Sequence, residues 1–376
     1  MINSADSFLR KRLDERKLNA AFRTLRKREN QVDFFSNDYL GIASKDFAFD
    51  TNATNSSQRN GSTGSRLLAG HSIEAEELED WIRNEFNAEA ALVFNSGFDA
   101  NLGLMSSLPG RNDTVFYDSL VHASLREGIR LSPCKAYSFQ HNDADDLRKK
   151  AGLSQGIVYV VIESVYSMDG DEPKLADFIE VCKEFGWHLI VDEAHGLGVC
   201  GESGKGSSFQ FGGSDDIFAR VLTFGKAAGF HGAAVLGSRV LIDYLINFCR
   251  PFIYSTALPP SDYKKLQQLL SHLIAAEKER KQLKLLVEQF RKWQLTQTNF
   301  NFISSLSPIQ NLLVPGNAEV SKLAEYLQEN GYDVRPIKNP TVPAGSERLR
   351  IILHSYNTAA ELDGLTRLLD GYGDED

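Results

Sequence analysis

Between about residues 72 and 240 the sequence switches period repeatedly. Short apolar or β-branched runs at Ala91–Phe94, Thr114–Tyr117, Ile157–Ile162, Trp187–Val191, Ile217–Thr223 and Ala233–Leu236 read as strands. Helix-spaced segments at Ile73–Phe86, Phe98–Leu108, Leu120–Arg130 and Ala176–Phe185 separate them. Strands this uniformly apolar must be covered on both faces, and alternating strands and helices supply the cover. The expected fold class is therefore α/β, a large domain built on a mostly parallel sheet.

The flanks read differently. Residues 3–28 are dense in charge, with Phe8, Leu9, Leu13, Leu18, Phe22 and Leu25 at roughly helical spacing, which predicts a helical arm. Val32–Ser36 reads as a short strand and 60–66 as a small-residue loop. After Pro259-Pro260 one long charged helix is expected to about Leu295. A smaller C-terminal α/β segment follows, with strands at Gln310–Val314 and Leu349–Leu353 and helices at Val320–Glu329 and Ala359–Leu369. The expected division is 1–45 (arm and strand), 46–258 (large domain) and 259–376 (long helix and small domain). Asp374–Asp376 reads as a frayed acidic tail.

A chain of 376 residues can bury a sizeable core. Its net charge of −9 argues against a general binder of nucleic acid or anionic membrane. Cys134, Cys182, Cys200 and Cys249 are scattered, with no CxxC pair, so no metal or redox site is expected. Free thiols in a reducing cytoplasm are the expectation. The charged stretch from Met1 to Arg16 does not read as a secretory signal, and no run is long and apolar enough to span a bilayer.

Against this frame one lysine stands out. Lys226 follows the apolar run Val221-Leu222-Thr223-Phe224-Gly225, and small residues, Ala227-Ala228-Gly229, come after it. An amine beside an apolar wall has its charged form disfavoured, which suits Schiff-base chemistry. Some thirty residues earlier, Trp187–Val191 ends in Asp192, with His195 three residues on. Ligands of α/β sheets bind beyond the carboxyl ends of strands, and a carboxylate there wants a cationic partner. A pyridinium N–H, an arginine or a helix cap would each serve. Lysine, strand-end acid and histidine together are the parts that hold pyridoxal 5′-phosphate, the ring acting as an electron sink.

Weaker signals gather around these. Asn95-Ser96-Gly97-Phe98-Asp99 joins a strand to a helix, either as an anion site of backbone N–H groups or as an ordinary turn capped by Ser96 or Asp99. Thr223 offers its hydroxyl to a phosphate or is simply a β-branched strand residue. His122 opens a helix, as a stacking ring or a cap. Ser167 either donates to a ring oxygen or stabilises a turn. Arg350, on a C-terminal strand, suits a carboxylate or a plain ion pair, and Arg348 shares its strand face.

Taken in order, seven markers resemble the α-oxoamine synthase family of pyridoxal-phosphate enzymes, whose fold is transferase fold type I. They are Ser36-Asn37-Asp38-Tyr39-Leu40-Gly41, Gly61-Ser62-Thr63-Gly64-Ser65-Arg66, Ser96-Gly97-Phe98, Asp118–Ser124, Ser167-Met168-Asp169-Gly170-Asp171, Asp192-Glu193-Ala194-His195-Gly196 and Thr223-Phe224-Gly225-Lys226. The resemblance runs from about Asn37 to Leu369. It implies that Lys226 carries the Schiff base, Asp192 pairs with the pyridine nitrogen and His195 bonds the ring oxygen. It implies that His122 stacks on the ring and faces substrate, that Ser167 contacts the cofactor, and that Gly97, Phe98 and Thr223 form its pocket. Ser255 and Thr256 would reach a phosphate across the interface of a homodimer with shared active sites. Arg23, Thr341 and Arg350 would meet substrate. The link from arm to first marker, Glu29-Asn30-Gln31, is shorter than is usual in the family, and Ala227 stands where Gly is common.

Within the family, Pro340–Arg350 is most similar to the branch that condenses L-alanine with a pimeloyl thioester, on CoA or on acyl carrier protein, in biotin biosynthesis. The sister branches that use glycine or serine, and other pyridoxal-phosphate reactions such as transamination, are the alternatives. A non-catalytic interaction module on this fold is the alternative of another class.

Overall fold

The computed structural model describes residues 6–25, 27, 30–45, 47, 60–212 and 216–372. Contacts divide the chain into two compact units. The larger comprises Asp38–Ser167 and Glu172–Lys281, and the smaller comprises Met1–Asn37, Met168–Asp171 and Gln282–Asp376.

The larger unit is built on a seven-stranded sheet. Its strands are β1 (Ala90–Phe94), β2 (Thr114–Asp118), β3 (Lys135–Phe139), β4 (Val158–Glu163), β5 (His188–Asp192), β6 (Ala219–Thr223) and β7 (Ala233–Gly237). Their order is β1-β7-β6-β5-β4-β2-β3, with only β7 antiparallel to its neighbours. Alternate residues feed two cores. Val115, Tyr159, Val161, Ile190, Val221 and Val235 pack on one face. Phe116, Val158, Val160, Ile162, Leu189 and Val191 pack on the other, with Phe178 and Cys182 of the helix Leu175–Phe185. The α/β, mostly parallel expectation holds.

β3 escaped the pattern reading because it is an edge strand whose residues Lys135, Ala136 and Ser138 are exposed. The single helix expected after Pro259-Pro260 is two, Pro260–Ala275 and Glu277–Gln294. The first ends where Arg280 donates to the carbonyls of Leu273 and Ile274, both at 2.7 Å. Those carbonyls would have no helical partner at a break, and the guanidinium satisfies them.

In the smaller unit an antiparallel sheet contains β8 (Asn301–Ile303), β9 (Ile309–Leu313), β10 (Arg335–Ile337) and β11 (Arg348–Ile352), in the order β10-β11-β9-β8. The helices Asn317–Glu329 and Ala359–Asp370 belong to this unit. Val32–Asp33 pairs in parallel with Tyr332–Asp333. The arm expected over 3–28 is a shorter helix, Ser7–Leu18, with no buried residue. It stops because the chain turns at Ala20, φ +49°, where Ala21 N–H donates back to Arg16. Residues 3–5, 26 and 28 of that expectation, and the tail Asp374–Asp376, lie outside the described residues. Among the described residues no helix is long and apolar enough to cross a membrane.

Candidate active site

The carboxyl ends of β4, β5 and β6 lie side by side, since Glu163 is the register partner of Asp192 and Asp192 of Val221. Asp192 is 3% exposed. Two donors meet its carboxylate: Asn101 Nδ2 at 2.7 Å on Oδ2 and Ala194 N–H at 2.8 Å on Oδ1. A carboxylate has about four acceptor positions, so capacity remains for a further N–H. His195 is buried, and its Nδ1 lies 2.6 Å from the Tyr39 hydroxyl. Tyr39, part of the first sequence marker, orients this histidine in the fold.

Lys226 leaves the end of β6 half-buried, with Ala227 and Ala228 closed to solvent behind it. Gly229, at φ +66°, turns the chain against Ala43, where a Cβ would meet backbone at 2.4 Å. Asp192 and Lys226 both act electrostatically on His122 and on Glu163. His122 retains solvent-facing surface, yet desolvation of its ring lowers its pKa, the charge of Lys226 acts in the same sense, and Asp192 opposes. Its Nδ1 accepts from Ser124 N–H at 3.2 Å and lies 2.8 Å from Ser124 Oγ. Glu163 is buried and accepts the backbone N–H of His122. Burial, reinforced by Asp192, pushes its carboxyl up to about 8. Asn101, Glu163 and a role for Ser124 escape sequence reading because each is an ordinary polar residue until the fold assembles it.

The turn after β1 opens the helix Gly97–Ser107, and Ser96 is its cap, accepting from Asp99 N–H at 3.1 Å. A Cβ on Gly97 would stand 2.5 Å from Thr223 Cγ2, so only glycine lets this helix start close on the end of β6. Phe98 is about half exposed and Ser167 half-buried in the turn after β4. Ser255 is half-buried and Thr256 exposed; the Thr256 carbonyl accepts from Asn95 Nδ2 at 2.7 Å, beside the same turn. Arg66 is held by Glu79, which also accepts Val93 N–H at 2.7 Å and so ties β1 down.

Arg23, Thr341 and Arg350 all belong to the smaller unit. Arg23 Nη2 donates to Thr341 Oγ1 at 3.0 Å, and Arg350 Nη2 to Asn37 Oδ1 at 3.0 Å. Arg350 is buried on β11. Arg348 is spent on structure, paired with Asp169 and donating to Ser346 O at 2.9 Å.

The larger unit's residues fit the pyridoxal 5′-phosphate that the resemblance implies. A buried strand-end carboxylate has acceptor capacity to spare, a glycine-faced helix N-terminus suits an anion, and an amine stands at the next strand end.

Comparison with known proteins bears on this arrangement. The profile described as aminotransferase class I and II matches residues 29–368. An 8-amino-7-oxononanoate synthase of Emericella nidulans is 40% identical over 367 residues, covering 89% of this chain and 88% of that protein. The crystal structure of 8-amino-7-oxononanoate synthase from Francisella tularensis superposes with a TM-score of 0.80 at 28% identity, covering 92% of this chain and 98% of its own. A serine palmitoyltransferase from S. paucimobilis, with PLP and myriocin bound, has a TM-score of 0.86 at 24% identity over 100% and 99% of the two chains, a likeness of fold. The chain belongs to the class I and II aminotransferase family, and within it to the α-oxoamine synthases of transferase fold type I.

Proposed function

We propose that this enzyme condenses L-alanine with a pimeloyl thioester, releasing CO₂ and the thiol, to give 8-amino-7-oxononanoate in biotin biosynthesis. The identity of 40% to a synthase of that name, spanning nearly nine-tenths of both chains, carries the reading. Pyridoxal 5′-phosphate, when bound, supplies a Schiff-base carbonyl and a sink for the electron pair left at the amino-acid Cα. Lys226 would hold it covalently; once the amino group of the substrate has taken the lysine's place, the freed Lys226 amine would move the Cα proton. Asp192 would accept the pyridine N–H, and its burial would make that charge pairing stronger than it is in water. His195, set by Tyr39, would bond the ring oxygen, and His122 would cover the ring face. Gly97, Phe98 and Thr223 would cradle the phosphate side, and Ser167 would contact the ring. Arg350 would offer its guanidinium fork to a substrate carboxylate, and Arg23 and Thr341 would also meet substrate.

The acyl group arrives on CoA or on acyl carrier protein, and the working form is a homodimer in which Ser255 and Thr256 serve the partner's phosphate. A cytoplasmic location suits four cysteines that are all free thiols. The test crosses alanine, glycine and serine with several acyl thioesters and follows free thiol and CO₂. Turnover with alanine and a pimeloyl thioester is expected, and Lys226→Ala should lower it by about 10²–10⁴-fold or more. Turnover restricted to glycine or serine would move the chain to a sister branch.

A further inference from the structure

Asn101 and Ser124 have no part in the chemistry above, yet they join two residues that do. Asn101 lies in the helix Gly97–Ser107 and Ser124 at the start of the helix Ala123–Leu131. They are 2% and 0% exposed. The amide nitrogen of Asn101 lies 2.7 Å from Asp192 Oδ2 and 3.1 Å from Ser124 Oγ. An amide NH₂ has two hydrogens and accepts nothing, so both contacts are donations. Turning the amide over would set its oxygen against a carboxylate oxygen, acceptor on acceptor.

From there the direction of each hydrogen follows. Ser124 Oγ receives from Asn101 and keeps its own hydrogen to give. His122 Nδ1 is 2.8 Å away. The backbone N–H of Ser124 also points at Nδ1, at 3.2 Å, and a backbone N–H can only donate. Nδ1 is therefore an acceptor twice over. On the other side of the residue, the His122 backbone N–H is held by Glu163.

We propose that Asn101 and Ser124 are positioning residues that hold His122 as the neutral Nε2–H tautomer and tie its ring to the carboxylate of Asp192. The hydrogen-bonded path runs Asp192, Asn101, Ser124, His122, and it is closed to water along its middle. A ring held this way presents a neutral face and an outward N–H. The importance of that face to the reaction rests on the function proposed above, in which His122 covers a cationic ring; an imidazolium there would repel it. The lowered pKa of His122 agrees with a neutral ring.

Ring-labelled histidine NMR of the full chain carrying pyridoxal phosphate, without substrate, reads the tautomer directly, with His122→Gln assigning the resonance. The expected result is an unprotonated, hydrogen-bonded Nδ1 and a protonated Nε2. Ser124→Ala should move the Nδ1 resonance toward that of a free ring nitrogen and lower kcat/KM about tenfold, the loss of one such hydrogen bond. Asn101→Ala should move it in the same direction by less, because the serine hydroxyl loses its orienting donor. A protonated Nδ1 in the wild type, or an Nδ1 shift indifferent to both substitutions, would overturn the proposal. Since no amino acid or thioester is present, the outcome is separate from the condensation assay. A chain that kept the Nε2–H ring but failed to condense alanine would support the network and sink the proposed substrates.

Discussion

Two buried carboxyl groups at strand ends, Glu163 in the larger unit and Asp33 in the smaller, are treated in opposite ways. Glu163 meets Asp192 on the neighbouring strand and one backbone N–H, and its pKa is pushed up to about 8. Around Asp33, burial pulls upward but is outweighed by His354 and by donors from Ser36 and Phe35, which hold the carboxyl well below the usual range. Ser36 Oγ and Tyr356 Oη also donate to it, at 2.7 and 2.8 Å. The smaller unit uses its acid as a clasp joining the segment after Val32 to the segment after β11. Acids crowd together at the strand ends of the larger unit, an arrangement that costs stability and that the charge of Lys226 only partly offsets.

The comparison breaks most visibly at Asp192. Replacing it with Ala should cost about 10²–10³-fold in kcat/KM, the scale of one lost electrostatic contact to developing charge. Activity near wild type would remove the larger unit's claim to the site. Asp33→Ala should do the reverse. It should cost about 3 kcal/mol in denaturant unfolding, because it leaves the Phe35 and Ser36 N–H groups and the Ser36 and Tyr356 hydroxyls without their acceptor and removes the charge that faces His354, and it should spare turnover per folded molecule. Since the folded pKa of Asp33 is depressed, its contribution is present above the unfolded value of 3.8 and fades as pH falls.

The sign reverses for Glu163. Its folded pKa of about 8 exceeds the unfolded 4.5, so the native chain binds more protons between them. Its contribution to stability must fall as pH rises through that window. Glu163→Gln keeps an acceptor for His122 N–H and removes the titration. Unfolding free energies measured at about pH 5 and pH 8 should differ less in the variant than in the wild type, by up to a few kcal/mol. Equal differences in both proteins would mean that the carboxyl ionises normally.

How much of this the sequence disclosed follows from what periodicity can see. Six of the seven strands of the large sheet were visible because burial on both faces leaves continuous apolar runs; the edge strand Lys135–Phe139 was not. The break at Ala276 is invisible to pattern because it depends on where Arg280 folds back. In the site, Lys226 and Asp192 announced themselves by following apolar strands. Tyr39, Asn101, Ser124 and Glu163 did not, because their meaning lies in partners far away in sequence. The sequence placed Arg348 and Arg350 on one strand face without telling them apart; the fold does, by giving Arg348 to Asp169.

The smallest test uses two helix caps of similar build. Thr358 caps Ala359–Asp370 in the smaller unit: its hydroxyl accepts Glu361 N–H at 3.1 Å, and Glu361 Oε2 accepts Thr358 N–H at 2.7 Å. Ser96 caps Gly97–Ser107 in the larger unit, accepting Asp99 N–H at 3.1 Å. Thr358→Ala and Ser96→Ala should each cost about 1 kcal/mol of stability, since each orphans one helical N–H. Only Ser96→Ala should also weaken retention of pyridoxal phosphate, measured by dialysis and absorbance, because the N-terminus it organises is the one facing Thr223. If both variants released the cofactor equally, the effect would be one of general stability, and the helix start at Gly97 would lose its assignment as the phosphate cradle.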